Sequence, residues 1–172
     1  MENFLNPVQT LKQLKINKNM VAADFGSGSG GWVLPLAKIL ENGKVFAVDI
    51  LAEPLSALES KAKLNNLSNI ETIRADVEKG VNILSGSCDL VLLTNLLFQL
   101  ENKKAVFEEA KRVLRSGGKI LVVDWKKTAK MGPEQNRVSP VEVKKIAKEV
   151  GLELEKEFEA GKCHFSLVFT SP

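Results

Sequence analysis

The 172-residue sequence predicts an α/β fold: a mostly parallel sheet with helices on both faces. Three observations predict it. Short β-branched segments alternate with amphipathic ones along the chain. The glycine-rich stretch "DFGSGSGGW", Asp24 to Trp32, joins a strand to a helix. After the last helix, two strand-like runs meet at Ala160-Gly161, a hairpin that sets one strand antiparallel to the rest. One domain over residues 1–172 is expected, with a helical segment at 1–19 and a core at 20–172.

Asn6-Pro7 supplies a cap oxygen and a first-turn proline, so a short helix is expected to end near Leu14. Residues 20–25 form the first strand, and a helix over 33–40 follows the glycines. "KVFAVD" at 44–49 is the second strand. Pro54 opens a helix carried by Leu55, Leu58, Ala62 and Leu67. Residues 70–74 are the third strand, 77–84 a short helix or loop, and 88–95 a buried strand. Residues 103–114 place Val106, Phe107, Ala110, Val113 and Leu114 on one helix face, and Ser116-Gly117-Gly118 is the expected stop. The fifth strand covers 119–125. Ser139-Pro140-Val141-Glu142 has capping-box spacing and opens a helix to Val150, halted by Gly151. Strands at 152–158 and 164–169 form the hairpin. The longest irregular stretch, 126–139, is a candidate functional loop.

Hydrophobic residues make up 44% and charged residues 26%, ordinary for a globular protein, and the net charge is only +3. The basic excess is local: residues 101–148 hold 13 Lys and Arg against 6 Asp and Glu, which fits solvated helix faces or an anionic partner. Cys88 and Cys163 stand alone, arguing against a disulfide framework or a metal site and for a reducing compartment. The first ten residues lack a basic region followed by an apolar run, and no apolar run approaches the ~20 residues that span a bilayer. A cytoplasmic protein without membrane partners is expected; its oligomeric state is left open.

Gly26, Gly28 and Gly31 have GxGxxG spacing between a strand and a helix, where bare backbone and helix N–H groups meet a nucleotide-bearing ligand. The motif alone does not choose the ligand, and a tight structural turn is the alternative. Three acids sharpen it. Asp24, in the strand itself, repels a pyrophosphate and welcomes an ammonium. Asp49 ends the second strand 18 residues after Gly31, close to the ~20 at which an acid meets ribose hydroxyls. Asp76, past the third strand, can accept from an adenine amino group. Together they suit a cationic nucleoside.

"VAADFGSGSG", "VFAVDI", "IRADV", "DLVLLTNLLFQL" and "RVLRSGGKILVVDW" resemble, in order, the motifs of class I S-adenosylmethionine-dependent methyltransferases. The resemblance runs over about residues 21–169 and is strongest to the small domains of the ubiquinone/menaquinone-biosynthesis group. It implies a Rossmann-like seven-stranded sheet ordered 3-2-1-4-5-7-6 with strand seven antiparallel, and S-adenosyl-L-methionine as cofactor. It further implies that Asp24 meets the methionine amino group, while Gly26, Ser27 and Gly28 line methionine and ribose. Asp49 would take both ribose hydroxyls, and Ile50 would pack on adenine. Asp76 would accept from the adenine amino group with Val77 beside it, and Asn95 would hold the methionine end. An N-terminal helix over 1–14 would cover the cofactor.

Methyl displacement from a sulfonium needs alignment more than a base, so catalytic residues are hard to read. Asn95-Leu96-Leu97-Phe98 lacks the Pro-Pro-aromatic run of adenine amino-methylating relatives, and Cys88 and Cys163 are misplaced for 5-methylcytosine chemistry and too few for the arsenite type. Gln99 stands where many relatives have His. Asp124, Trp125 and His164 remain as catalytic candidates; Trp125 also reads as a packed lid residue and His164, the only histidine, as a structural one. Lys126, Lys127, Lys130, Glu134 and Arg137 make the loop a candidate anionic platform or a plain solvated loop. The sequence thus predicts a methyltransferase for a small organic acceptor. The alternatives are one acting on RNA or protein, or a non-catalytic cofactor-binding subunit.

Overall fold

The computed structural model describes residues 4–172, so the first three residues of the N-terminal segment lie outside the described residues. The strands are β1 (Val21–Phe25), β2 (Lys44–Asp49), β3 (Ile70–Arg74), β4 (Cys88–Thr94), β5 (Leu114–Trp125), β6 (Glu153–Glu159) and β7 (His164–Thr170). The helices are α1 (Pro7–Leu11), α2 (Val33–Ile39), α3 (Ala52–Leu64), α4 (Lys103–Val113) and α5 (Pro140–Glu149). A 3-10 turn, Leu97–Gln99, follows β4. The strands form one sheet ordered β3-β2-β1-β4-β5-β7-β6. β1 to β5 pair in parallel, and β7 runs antiparallel to both β5 and β6. This is the expected Rossmann-like order, and the hairpin produces its one reversed strand.

Alternation along the inner strands sorts side chains into two cores. Ala23 and Phe25 of β1, with Val91, Leu93, Ile120, Val122, Phe165 and Leu167, face α4 and α5 through Val106, Phe107, Val143 and Ala147. Ala22 of β1, with Leu90, Leu92, Leu121, Val123 and Val168, faces α1, α2 and α3 through Leu11, Leu36 and Leu58. Asp24, two residues beyond Ala22, therefore points to the second face, and so do His164 and Ser166, two and one alternations before Val168.

Several boundaries differ from expectation for physical reasons. β5 begins at Leu114, directly after α4, so Ser116-Gly117-Gly118 lies within the strand. The β4–β5 register jumps from Cys88↔Leu114 to Leu90↔Lys119, and Gly117 absorbs the bulge at φ +77°. α3 starts at Ala52, ahead of Pro54, which is tolerated because a helix's first N–H groups have no intrahelical partner. Residues 77–84 form turns and bends, the loop alternative of the expectation. The caps hold: Asn6 accepts from Gln9 N–H at 3.2 Å, and Ser139 and Glu142 form the reciprocal capping box of α5. No helix among the described residues is long and apolar enough to cross a membrane.

Candidate functional site

The parallel strands deliver their loops to one edge of the sheet, where ligands of such folds bind. The loop after β1 crosses this edge as bare backbone. Gly26 and Gly28 take φ of +75° and +53°. A Cβ on Gly26 would sit 2.7 Å from Leu96 Cδ1, whereas one on Gly28 would meet open space. Gly31, the third glycine of the motif, has no such φ; Gly30 does, at +97°, and its missing side chain makes room for Leu58 of α3. The loop is tied to β2 by Gly26 and Ser27 N–H groups donating to the Val48 carbonyl at 2.8 and 2.9 Å.

Asp24 is fully buried, and neither carboxylate oxygen has a hydrogen-bond partner. Burial, with the charge of Asp49 added, holds its carboxyl well above the usual carboxylate range. Leaving such a group charged and unpaired costs several kcal/mol by order of magnitude, so a cationic donor belongs beside it. Asp49 is already oriented: Oδ2 accepts from Gly28 N–H at 2.8 Å and Oδ1 from Leu51 N–H at 3.0 Å. Each oxygen keeps a free acceptor position, enough for a pair of hydroxyls. Asp76 accepts from Glu78 N–H at 3.0 Å and lies 3.4 Å from Lys79 Nζ.

Gly26, Gly28, Asp49, Ile50, Asp76 and Val77 line one cleft of about 380 Å³. Ile50 is 56% exposed there, an apolar side chain open to a planar ligand. Leu51, Leu96 and Gln99 share the lining; the apolar residues beside Ile50 and Asn95 were the available sequence signal. Asp24, Ser27 and Asn95 do not line this cleft. Asn95 holds a left-handed φ of +49°, with its N–H bound to the Val123 carbonyl and its Oδ1 buried without a partner. A second unpartnered acceptor thus sits just past β4.

The three catalytic candidates separate. Asp124 points to the α4–α5 face, where Oδ2 accepts from Leu97 N–H at 2.9 Å and Oδ1 from Trp125 N–H at 2.8 Å. Burial raises its pKa against these bonds; the carboxylate caps the 3-10 turn after β4. Trp125 and His164 are paired across β5–β7 on the opposite face, ring centroids 4.1 Å apart. His164 is 3% exposed, both ring nitrogens lack partners, and burial beside Lys126 lowers its pKa to about 4.

The basic stretch proves largely self-satisfied. Arg137 donates to the carbonyls of Lys126, Ala129, Met131 and Pro133, stapling the 126–139 loop from within. Lys126 pairs with Glu159, Lys127 with Glu142, Lys119 with Glu155, Lys144 with Glu157 and Arg115 with Asp89. Arg112 binds Glu109 and the Val81 and Ile83 carbonyls, and Lys111 binds the Val150 carbonyl. Gly132 lies on the indole of Trp125, so close that a Cβ would come within 2.5–2.7 Å of the ring.

A sequence profile described as a methyltransferase domain matches residues 23–122, from β1 into β5. The chain belongs to this family. It is a class I S-adenosylmethionine-dependent methyltransferase, and S-adenosylmethionine is its cofactor. A demethylmenaquinone methyltransferase of Geobacillus sp. is 24% identical over 73% of this chain and 54% of its own length. An arsenite methyltransferase of Halobacterium salinarum is 27% identical over 68% of this chain and 30% of its own. The chain therefore spans about half, or less, of the curated relatives it matches. A crystal structure of an S-adenosylmethionine-dependent methyltransferase from Aquifex aeolicus superposes with a TM-score of 0.91 at 25% identity, covering 99% of this chain and 92% of that one. The [4+2]-cyclase SpnF superposes at 0.84 with 12% identity over 96% of this chain and 79% of that one, a likeness of fold alone. The residues fit the methyltransferase cofactor: the orphaned Asp24 carboxylate matches an ammonium, and the half-used Asp49 carboxylate matches a diol.

Proposed function

We propose that this methyltransferase transfers a methyl group to a small organic acceptor by in-line displacement. The observation that carries the acceptor's size is a cavity of about 390 Å³ where β5 meets β7, within the range of small-molecule pockets. Ion pairs and carbonyl contacts occupy most of the basic stretch, which supports a small acceptor over RNA, since a nucleic-acid platform needs free cations. Cys88 begins β4 while Cys163 precedes β7 at the opposite edge, so thiol-based arsenic chemistry has no paired thiols here.

Bound S-adenosylmethionine supplies an electrophilic methyl group on a sulfonium. In our reading Asp24 and Asn95 hold the amino-acid end, and Gly26, Ser27 and Gly28 admit it against bare backbone. Asp49 takes the ribose hydroxyls while its bond to Gly28 keeps the loop in place. Ile50 would pack on the base, and Asp76, with Val77 beside it, would accept from its amino group. Alignment of acceptor and sulfonium would supply the rate enhancement. The test is turnover of methyl-labelled cofactor on fractionated small-molecule extracts, with RNA and protein fractions in parallel. Label in small-molecule products supports the proposal. Label confined to RNA or protein refutes it, and so does cofactor binding with no transfer in any fraction.

A further inference from the structure

Two loops face each other across the cleft that holds Gly26, Gly28 and Asp49. Ala75, Asp76, Val77 and Glu78 come from the loop after β3; Leu96, Gln99 and Leu100 come from the turn after β4. β2 and β1 lie between β3 and β4 in the sheet, so no backbone ladder sets the distance between these two walls. β3 is also an edge strand, paired with β2 alone. The spacing of the walls is left to contacts between the loops themselves.

Glu78 makes such a contact. Its Oε1 accepts from the N–H of Asn102, two residues past Leu100 and the N-cap of α4. A carboxylate suits that place, because the N–H groups that open a helix carry partial positive charge and lack partners within it. Further along, the same loop is fastened to the body of α4. Val81 N–H donates to Glu109 Oε1 at 2.7 Å, and Arg112 donates to the Val81 carbonyl at 3.0 Å. Those residues stand outside the cleft, whereas Glu78 lines it. The Glu78 backbone serves the same side: its N–H donates to Asp76 Oδ1 at 3.0 Å. One residue thus orients the neighbouring acid and ties its loop to the opposite wall.

We propose that Glu78 is a positioning residue for the nucleoside: by holding the β3 loop to the start of α4 it fixes the width of the cleft and the place of Asp76 within it. The inference rests on the reading of this cleft as the nucleoside site and adds the residue that sets its width. Without the tie the loop visits wider arrangements, and apparent affinity falls with the fraction of chains that stay narrow. Glu78 acts here as an acceptor. Glutamine presents the same acceptor at the same reach; methionine has similar length and offers none of that strength.

5′-Methylthioadenosine is the probe, because it carries the cofactor's nucleoside and sulfur without the amino-acid end, so Asp24 drops out of the measurement. Isothermal titration compares the native chain with E78Q and E78M, and amide exchange at Asn102 reads the tie in the free protein. E78M is expected to weaken the probe about tenfold, the scale of one hydrogen bond, and to accelerate Asn102 exchange by a similar factor. E78Q is expected to keep both near the native values. Glu78 is only half-buried, and exchange in β1 and β4 checks that each variant keeps its core. Unchanged affinity in E78M overturns the proposal. A loss in E78M with Asn102 exchange unmoved, or an equal loss in E78Q, overturns it too, since either makes Glu78 a direct contact of the nucleoside. A native chain that binds neither 5′-methylthioadenosine nor S-adenosylhomocysteine would instead overturn the cofactor reading, and this inference with it.

Discussion

The Asp24 carboxylate accepts no hydrogen bond within the fold, and in the proposed site a bound ammonium offsets the cost of burying it. Its carboxyl retains a proton above the usual range because burial and Asp49 oppose the charge. A bound ammonium favours the ionised form. Cofactor binding should therefore release a proton at any pH below that raised pKa, and affinity for S-adenosylhomocysteine should rise with pH until Asp24 is ionised in the free protein. Calorimetry in two buffers of different ionisation enthalpy measures the released proton, and D24N should abolish both the release and the pH slope. Asp49 accepts from Gly28 N–H and, in the proposed site, would also take the ribose hydroxyls. D49A should weaken S-adenosylhomocysteine by about 1.5–3 kcal/mol, the scale of hydrogen bonds to a charged group; isothermal titration checks it, and unchanged affinity removes Asp49 from the site. At this scale the sequence was informative where the backbone dictates residue type. The glycines and strand-end acids were legible because their positions follow from strand length and turn geometry. Orphaned acceptors were not: whether Asn95 Oδ1 or Ser166 Oγ finds a partner depends on packing from distant segments.

Elements were legible where a cap or a period defines them. α5 announced itself through Ser139-Pro140 and Glu142, and β2 and β3 through alternation bounded by turn residues. β5 was misjudged because a Gly-Gly pair signals a helix stop locally, yet pairing with β4 and a bulge at Gly117 extend the strand back to Leu114. The 126–139 loop was read by its charges, but its order comes from Arg137, whose guanidinium binds four carbonyls of one strand-free segment. R137A should release that segment: amide exchange should accelerate at least tenfold within 126–139, from loss of about 1.5–3 kcal/mol of charge-assisted bonding, while β1 to β4 keep their protection. Exchange mass spectrometry resolves the two regions. G132V should act similarly, since its side chain must displace the Trp125 indole in a backbone conformation that β-branched residues avoid.

For the whole molecule, two buried groups set opposing responses to pH. His164 titrates near 4 when folded against an ordinary 6.5, so between these values the unfolded chain binds a proton that the folded chain refuses. Stability should fall as pH drops from 6.5 to about 4, and this contribution changes no further below that. Asp24 works the other way: its stabilising proton is fully held at low pH and lost as pH rises through the raised folded value. Thermal melts across pH 4–8 should show H164F flattening the acid limb and D24N raising stability near neutrality. The sheet order was available through the family resemblance that the motifs carry, whereas the reversed strand was legible in its hairpin, because a tight turn joins antiparallel neighbours. The division of the edge into a cleft lined by Gly26, Asp49 and Asp76 and a separate cavity at the β5–β7 corner was not, since it depends on which loop folds over which strand. That division has a practical outcome. Because β7 runs against its neighbours, the 160–163 turn opens on the ligand-bearing rim instead of the far one. Chain grafted into it would raise a new wall there, offering a route to altered selectivity that leaves the nucleoside clasp untouched.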